Sequence, residues 1–180
     1  MMNKKVTKII LYSAFLIFIV LITGCVEQTP QQTDNETIDW KNFELTDVAT
    51  GNKFKIRDFT GKPILMESFA VWCPTCLQQQ KQIKELKSTE GASIVYISLD
   101  VDPNEDEDII KDHFIRNGFD WYFAIAPPEF TRALIDEFGL KFVNAPAAPV
   151  VLICENQSTR FLGRGVKSAD KLKSEIDRGC

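Results

Sequence analysis

Histidine is nearly absent from this chain. Of 180 residues, one is histidine (His113) and five are cysteine. So few soft ligands leave a tetrahedral zinc site little to draw on. The one C-x-x-C, Cys73-Pro74-Thr75-Cys76, is matched by no second C-x-x-C and no H-x-x-x-H. No cluster of lysine and arginine interleaved with aromatics appears, and the net charge is −4, which argues against a nucleic-acid partner. A helix that spans a membrane needs about twenty apolar residues. The almost unbroken apolar stretch Ile9 to Ile22 has only fourteen. No internal repeat is apparent. What is left, 44% apolar and 26% charged, fits one globular domain with appendages.

The N-terminus reads as a targeting segment. Met1 to Lys8 is basic through Lys4, Lys5 and Lys8, and the short apolar stretch after it has the length of a signal h-region. It closes in Leu21-Ile22-Thr23-Gly24-Cys25, which resembles a lipobox, the prokaryotic lipoprotein signal. That likeness makes residues 1–24 a signal peptide and Cys25 the lipidated first residue of the mature protein. The alternative is an uncleaved anchor with an incidental cysteine. Both place the domain on the extracytoplasmic face of the cell membrane. Val26 to Asp39 then hold three glutamines, three threonines, several acids and one proline. So polar a stretch cannot offset its ordering entropy by burial, and residues 25–39 are expected to form a flexible leash. The globular domain is expected over 40–180.

What chemistry there is concentrates at Val71-Trp72-Cys73-Pro74-Thr75-Cys76. The two cysteines follow the apolar run Ile64 to Val71 and open the polar, helix-compatible stretch Leu77-Gln78-Gln79-Gln80. A strand that stops and a helix that starts at a cysteine pair favour a reactive dithiol. Free N–H groups and the positive end of the helix dipole stabilise a thiolate at the first cysteine. The redox reading therefore stands ahead of half a zinc site.

The rest of the domain parses into short elements. Phe43-Glu44-Leu45 and Phe54-Lys55-Ile56 alternate around Thr50-Gly51-Asn52 and predict a β-hairpin. A strand is expected over Ile64 to Phe69 and a helix over Cys73 to Ser88. A buried, parallel-type strand is expected over Ala92 to Leu99. The acidic run Asp100 to Asp108 fits the first EF-hand positions, but Glu105 replaces the required glycine and Lys111 the bidentate glutamate. It reads instead as a helix start, capped by Asp102 with Pro103 in the first turn, running to Asn117. On this pattern His113 sits on the surface. A short strand over Trp121 to Ala126, a helix over Pro128 to Phe138, strands Val150 to Cys154 and Thr159 to Gly163, and a helix Ser168 to Arg178 complete the order. Such alternation predicts an α/β fold, a central sheet with helices on both faces.

This order, with Trp72-Cys73-Pro74-Thr75-Cys76 at the first strand-to-helix junction and a proline before a late strand, resembles the thioredoxin fold. It is most similar to the membrane-tethered thiol–disulfide oxidoreductases of the TlpA/ResA/CcmG group, over Phe43 to Ile176. The resemblance implies a three-layer α/β/α sandwich with an N-terminal β-hairpin and a helical insertion. It implies protein disulfides as substrates, as in cytochrome c maturation, and a membrane thiol carrier as electron donor. It implies no cofactor beyond the redox-active Cys73–Cys76 disulfide, no resident metal and a monomer.

Roles follow by position. Cys73 is the expected nucleophile, exposed at the helix N-terminus, and Cys76 resolves the mixed disulfide. Pro74 and Thr75 offer no charge and no imidazole, which tilts the couple toward a reductant. Glu67 stands six residues before Cys73, where thioredoxins carry a buried aspartate. It is expected to take the Cys76 proton, against the alternative of an outward-facing glutamate. Trp72 is expected to shield the dithiol, and Trp72, Pro74, Thr75 and Ala148 to meet substrate. The family's cis-proline is expected at Pro149, with Pro146 the competitor; Val150 replaces the usual threonine after it.

Cys154 and Cys180 remain. With Pro149 beside the dithiol, both fall at the far pole, where a disulfide and a pair of free thiols are equally compatible with the order of elements. A copper-binding domain of the Sco type shares the fold and is the alternative function. It needs a distal histidine, and Phe142-Val143-Asn144 offers none. A peroxiredoxin wants threonine three residues before its cysteine, where Ala70 stands.

Overall fold

β3 (Ile64–Phe69) is buried along its whole length, and the sheet is built outward from it. The computed structural model describes residues 39–180. The signal segment, Cys25 and the leash up to residue 38 lie outside the described residues. β4 (Val95–Asp100) and β5 (Tyr122–Ile125) run parallel to β3 on one side. On the other, β6 (Val150–Ile153) is antiparallel to β3 and β7 (Thr159–Gly163) antiparallel to β6. The order is β5-β4-β3-β6-β7. A two-residue hairpin, β1 (Leu45–Thr46) with β2 (Lys53–Phe54), stands apart from it.

The period-2 pleat sorts side chains to two faces. Leu65 and Phe69 of β3, Tyr96 of β4 and Leu152 of β6 pack with Cys76, Ile83 and Leu86 of α1 (Pro74–Glu90), Ile110 of α2 (Glu107–Asn117) and Leu172 of α4 (Ala169–Arg178). Ile64, Met66, Ile97 and Val151 pack on the opposite face against Phe130, Leu134 and Phe138 of α3 (Pro128–Phe138) and against Trp40 and Phe54. The result is the expected three-layer α/β/α sandwich with its hairpin and its insertion, α2.

The helix boundaries follow their caps. α1 has Cys73 as N-cap and Pro74 in its first turn. α4 starts at Ser168, whose hydroxyl accepts from Lys171 N–H at 3.2 Å. α2 departs from expectation: it begins at Glu107, capped by Asp106, which accepts from Ile109 N–H at 3.0 Å. Asp102 is occupied elsewhere. Its Oδ1 turns back on Asn104 N–H at 2.9 Å and its Oδ2 takes the Trp72 indole N–H at 2.5 Å. The insertion also presents a different face from the expected one. Ile110 and His113, one turn apart, point inward, while Ile109 and Ile115 are exposed. His113 is therefore a core residue, correcting its expected surface position.

The register fixes the poles. Glu67 pairs with Ser98 of β4 and Val150 of β6, so Pro149 enters its strand at the end of β3 that leads to the dithiol. Ile64 pairs with Ile153 at the other end. There Cys154 and Cys180 form a disulfide with Cα atoms 6.1 Å apart. Among the described residues no helix is long and apolar enough to cross a membrane.

Candidate active site

Cys73 and Cys76 form a disulfide at the N-terminus of α1, with Cα atoms 5.3 Å apart. Cys76 N–H points at Cys73 Sγ at 3.1 Å. In the reduced protein that bond, with the helix dipole behind it, favours a thiolate on Cys73. Against expectation Cys73 is not exposed: it is 1% accessible and Cys76 is 0%. The 3₁₀ turn Ala145–Ala147 lies over the pair. Its Ala145 carbonyl oxygen comes within 3.6 Å of Cys73 Sγ and 2.9 Å of Cys76 Sγ. Trp72 is 60% exposed and Pro74 is exposed, so the neighbours rather than the sulfurs form the accessible surface here. A cavity of about 320 Å³ opens beside them, lined by Ala70, Trp72, Asp102, Asn144 and Pro146 among others. A larger one, about 570 Å³, lies between the hairpin and β5 and touches none of these groups.

Glu67 faces the α1 side of the sheet and is completely buried. The outward-facing alternative is thereby excluded. Burial pushes its carboxyl up to about 8, against the opposing pull of the Ser98 hydroxyl, the Gln80 amide and the charge of Lys167. Ser98 Oγ donates to Oε1 at 2.7 Å and itself receives the Trp121 indole N–H at 3.0 Å. On the α1 side, Gln80 Oε1 lies 2.7 Å from His113 Nε2, whose ring stacks on Phe69 with centroids 5.7 Å apart. A carboxyl that releases its proton near neutrality, inside the core and at the strand that leads into the dithiol, is suited to general acid–base work.

A second charged group closes the site from the C-terminal side. Lys167 is only 8% exposed. Its Nζ donates to the carbonyl oxygens of Ala148 at 3.1 Å, Gly163 at 2.7 Å and Gly165 at 2.7 Å. Burial pulls its amine down to about 8, while the Glu67 carboxylate opposes that pull. Buried Gln79 of α1 grips the same residue's backbone: its Oε1 accepts Lys167 N–H at 2.7 Å and its Nε2 donates to Lys167 C=O at 3.2 Å. Ala148 is buried, and its N–H bonds Ala145 C=O at 2.9 Å. Both of its backbone groups are thus used internally, and its expected pairing with an extended substrate is closed in this structure. The described peptide bonds are all trans, at Pro149 and Pro146 alike. The chain enters β6 instead with Ala148 in the left-handed region, φ 44° and ψ 57°.

On the other flank, carboxylates hold the approach to the dithiol. Both oxygens of Glu105 accept from Val71 N–H, at 2.9 and 2.8 Å. Asp100 is buried behind them, its acidity weakened by burial and by the negative charge of Glu105 and Asp102.

Comparison with known proteins gives this arrangement a family. Residues 33–177 match the Redoxin family. The chain belongs to it. It is 29% identical over 86 residues to the thiol-disulfide oxidoreductase ResA of Bacillus thuringiensis subsp. konkukian, covering 47% of each chain. It is 27% identical over 163 residues to the thiol:disulfide interchange protein DsbE of Pasteurella multocida, covering 77% of this chain and 84% of that one. Thus the chain spans about half the length of its ResA relative. A secreted Mycobacterium tuberculosis disulfide oxidoreductase shares the fold with a TM-score of 0.62 and 12% identity, over 78% of this chain and 98% of that one. A SCO1/SenC family lipoprotein from Bacillus anthracis does so at 0.61 and 17%, over 76% and 91%.

These two likenesses show the fold alone and do not choose between the readings weighed from the sequence. Here the structure adds residues that the sequence did not point to: Gln79, Gln80, His113, Glu105 and Lys167. In the sequence Gln79 and Gln80 belong to the polar, helix-compatible stretch after Cys76. Their common signal is weak. It is a glutamine pair at helix positions that the inward-facing Cys76, Ile83 and Leu86 bracket.

Proposed function

We propose that this Redoxin domain is a thiol–disulfide oxidoreductase that reduces protein disulfides on the extracytoplasmic face of the membrane. On this reading a lipid on Cys25 tethers it, a membrane thiol carrier re-reduces it, and apocytochrome disulfides are among its clients. The observation that carries the proposal is the pairing of a helix-capping disulfide with a buried, proton-holding Glu67 on the sheet face that α1 covers. The ResA and DsbE names of its relatives support the same reaction class.

The reduced protein begins as a Cys73 thiolate and a Cys76 thiol. Cys73 Sγ attacks one sulfur of the client disulfide; that S–S bond breaks and the released client sulfur takes a proton from water. Cys76 Sγ then attacks Cys73 Sγ and passes its proton to the Glu67 carboxylate. The mixed disulfide breaks, the second client sulfur leaves with the bonding electrons, and the Cys73–Cys76 disulfide is restored. The client gains two electrons and the domain loses two. Because the Ala145 carbonyl covers both sulfurs, the 145–147 turn shifts when a client docks.

Insulin reduction by the purified protein tests the proposal, with Cys73→Ser as the inactive control. A midpoint potential as high as that of the strongest dithiol oxidants, about −120 mV, overturns the direction of electron flow. Stoichiometric copper binding that is lost in His113→Ala reverses the choice in favour of the Sco-type alternative.

A further inference from the structure

We infer that Ser98 is a positioning residue of the resolving step: anchored by the Trp121 indole, its hydroxyl occupies Oε1 of Glu67 and so assigns the proton from Cys76 to Oε2. This deepens the dithiol reading above and rests on it.

The assignment follows from counting donors. An indole nitrogen donates and does not accept, and a serine hydroxyl carries one hydrogen and two lone pairs. Trp121 Nε1–H points at Ser98 Oγ at 3.0 Å and takes a lone pair there. The hydroxyl hydrogen is left to face Glu67 Oε1 at 2.7 Å. Among the described residues Ser98 Oγ has these two partners, and Ser98 is completely buried. A proton on Oε1 would set two hydrogens against each other and leave one without an acceptor, a cost that water does not relieve inside the core. Oε1 is thus an acceptor in both charge states of Glu67. Oε2 is buried and has no hydrogen-bond partner among the described residues. It is the oxygen open to gain the proton when the Cys76 S–H bond breaks, and to return it when the dithiol is restored.

The frame around these three side chains is rigid. Ser98 lies directly across from Glu67 in the β3–β4 register, and Phe123 of β5 lies directly across from Ser98. Trp121 is buried, its ring 4.6 Å from that of Phe119 and 5.5 Å from that of Phe123, centre to centre. An indole packed in this way cannot turn its N–H aside without moving both rings. The other groups that face Glu67 are Gln80 of α1 and Lys167 ahead of α4. Gln80 turns its Oε1 to His113 Nε2, and the Lys167 ammonium is held by three backbone carbonyls. The Ser98 hydroxyl is the group that meets the carboxyl itself at a short, direct hydrogen bond.

Stopped-flow mixing of the reduced protein with dithiobis-nitrobenzoate separates the two steps. Attack by Cys73 releases the first thionitrobenzoate, and attack by Cys76 on the mixed disulfide releases the second. From pH 5 to 10 the second phase should rise with the ionisation of Glu67. A hydrogen bond to a carboxylate favours its charged form. Ser98→Ala should therefore move that rise up by about one pH unit, slow the second phase about tenfold at pH 7, and leave the first phase as in wild type. Ser98→Thr should restore the profile. Infrared pH-difference spectra of the oxidised protein locate the proton. The band of neutral Glu67, identified by its loss in Glu67→Gln, should move to higher wavenumber in Ser98→Ala, because Oε1 is then a carbonyl without its donor.

A second phase that coincides with wild type in Ser98→Ala overturns the inference. So do equal slowing of both phases, a Ser98→Thr profile that stays shifted, and an infrared band that does not move. If Glu67→Gln leaves the wild-type second phase unchanged, the acid–base reading of Glu67 itself fails. If Cys73→Ser still reduces insulin, the dithiol reading fails. For the case in which Ser98→Ala does not fold, the wild-type protein answers directly. A chain of hydrogen bonds polarises along its length, so the Trp121 indole ¹⁵N–¹H signal should shift as Glu67 titrates and lose that step in Glu67→Gln. An unmoved signal in wild type overturns the inference.

Discussion

The molecule carries two disulfides at opposite ends of one sheet, and they differ in everything but the bond. Cys73–Cys76 sits at a helix N-terminus, with a carboxyl and an ammonium buried in the same core region. Cys154–Cys180 joins the residue after β6 to the segment after α4, across 26 positions of sequence. Two glutamates show the contrast. Glu67, without water, has its acidity weakened to about 8. Glu175, on α4, receives Lys171, Arg160 and Arg178, and its carboxyl falls to about 2. Near the Cys73–Cys76 disulfide the buried carboxyl is held protonated toward neutrality, while Glu175 is held ionised by three cations.

The comparison breaks most easily at the sulfurs. Cys73→Ser should abolish insulin reduction. The Cys154→Ser/Cys180→Ser double variant should keep close to wild-type turnover and lose about 3 kcal/mol of stability by denaturant titration. Comparable loss of turnover in both would erase the distinction between the poles. Next in size is Glu67→Gln, which should slow resolution at pH 7 by about 10²-fold, as expected for loss of a general base. Equal rates in stopped flow would remove Glu67 from the reaction.

The stability of the oxidised protein gives a subtler pair. Glu67 has a raised pKa, so between about 4.5 and 8 the folded state holds a proton that the unfolded state has lost. Unfolding free energy should therefore fall as pH rises through that window, and Glu67→Gln should flatten the slope. Glu175 is the reverse. Its contribution is complete above about 4.5 and disappears as pH falls toward 2. Glu175→Gln should cost stability at pH 7 and leave a shallower acid limb. The smallest effect is expected from Glu105→Gln, which weakens the cap on Val71 N–H and should lower Tm by a few degrees, leaving resolution within about threefold of wild type. Urea titrations across pH decide the two slopes, and thermal melts with stopped flow decide Glu105→Gln.

Much of this was legible in the chain, because local signals carried it. The apolar run into Cys73, Pro74 at the first helical position, and the Ser168 cap each place their element without tertiary information. The alternation of strands and helices gave the sandwich. What escaped depends on partners far away. Asp102 reads as a cap until the Trp72 indole, 30 residues earlier, takes its carboxylate. His113 reads as exposed until α2 rotates Ile109 and Ile115 outward. The Ala145 carbonyl over the sulfurs has no sequence signature at all, since any residue supplies a carbonyl. Lys167 is the extreme case, for a lysine before a helix cap is ordinarily solvated, and here Gln79, 88 positions away, and the carbonyls of Ala148, Gly163 and Gly165 hold it in the core.

That distance also bears on how the protein is made. Synthesis runs from N- to C-terminus, so the cysteine pair leaves the ribosome well before the segment that ends up behind it. Cys73 and Cys76, three positions apart, are near neighbours in the nascent chain from the start. The turn that covers them and the Cys154–Cys180 disulfide both belong to the later part of the sequence. Contacts of such long range form late and slowly. The newborn protein therefore passes through an interval in which its dithiol is present and bare, and how the cell guards that interval becomes part of this molecule's biology.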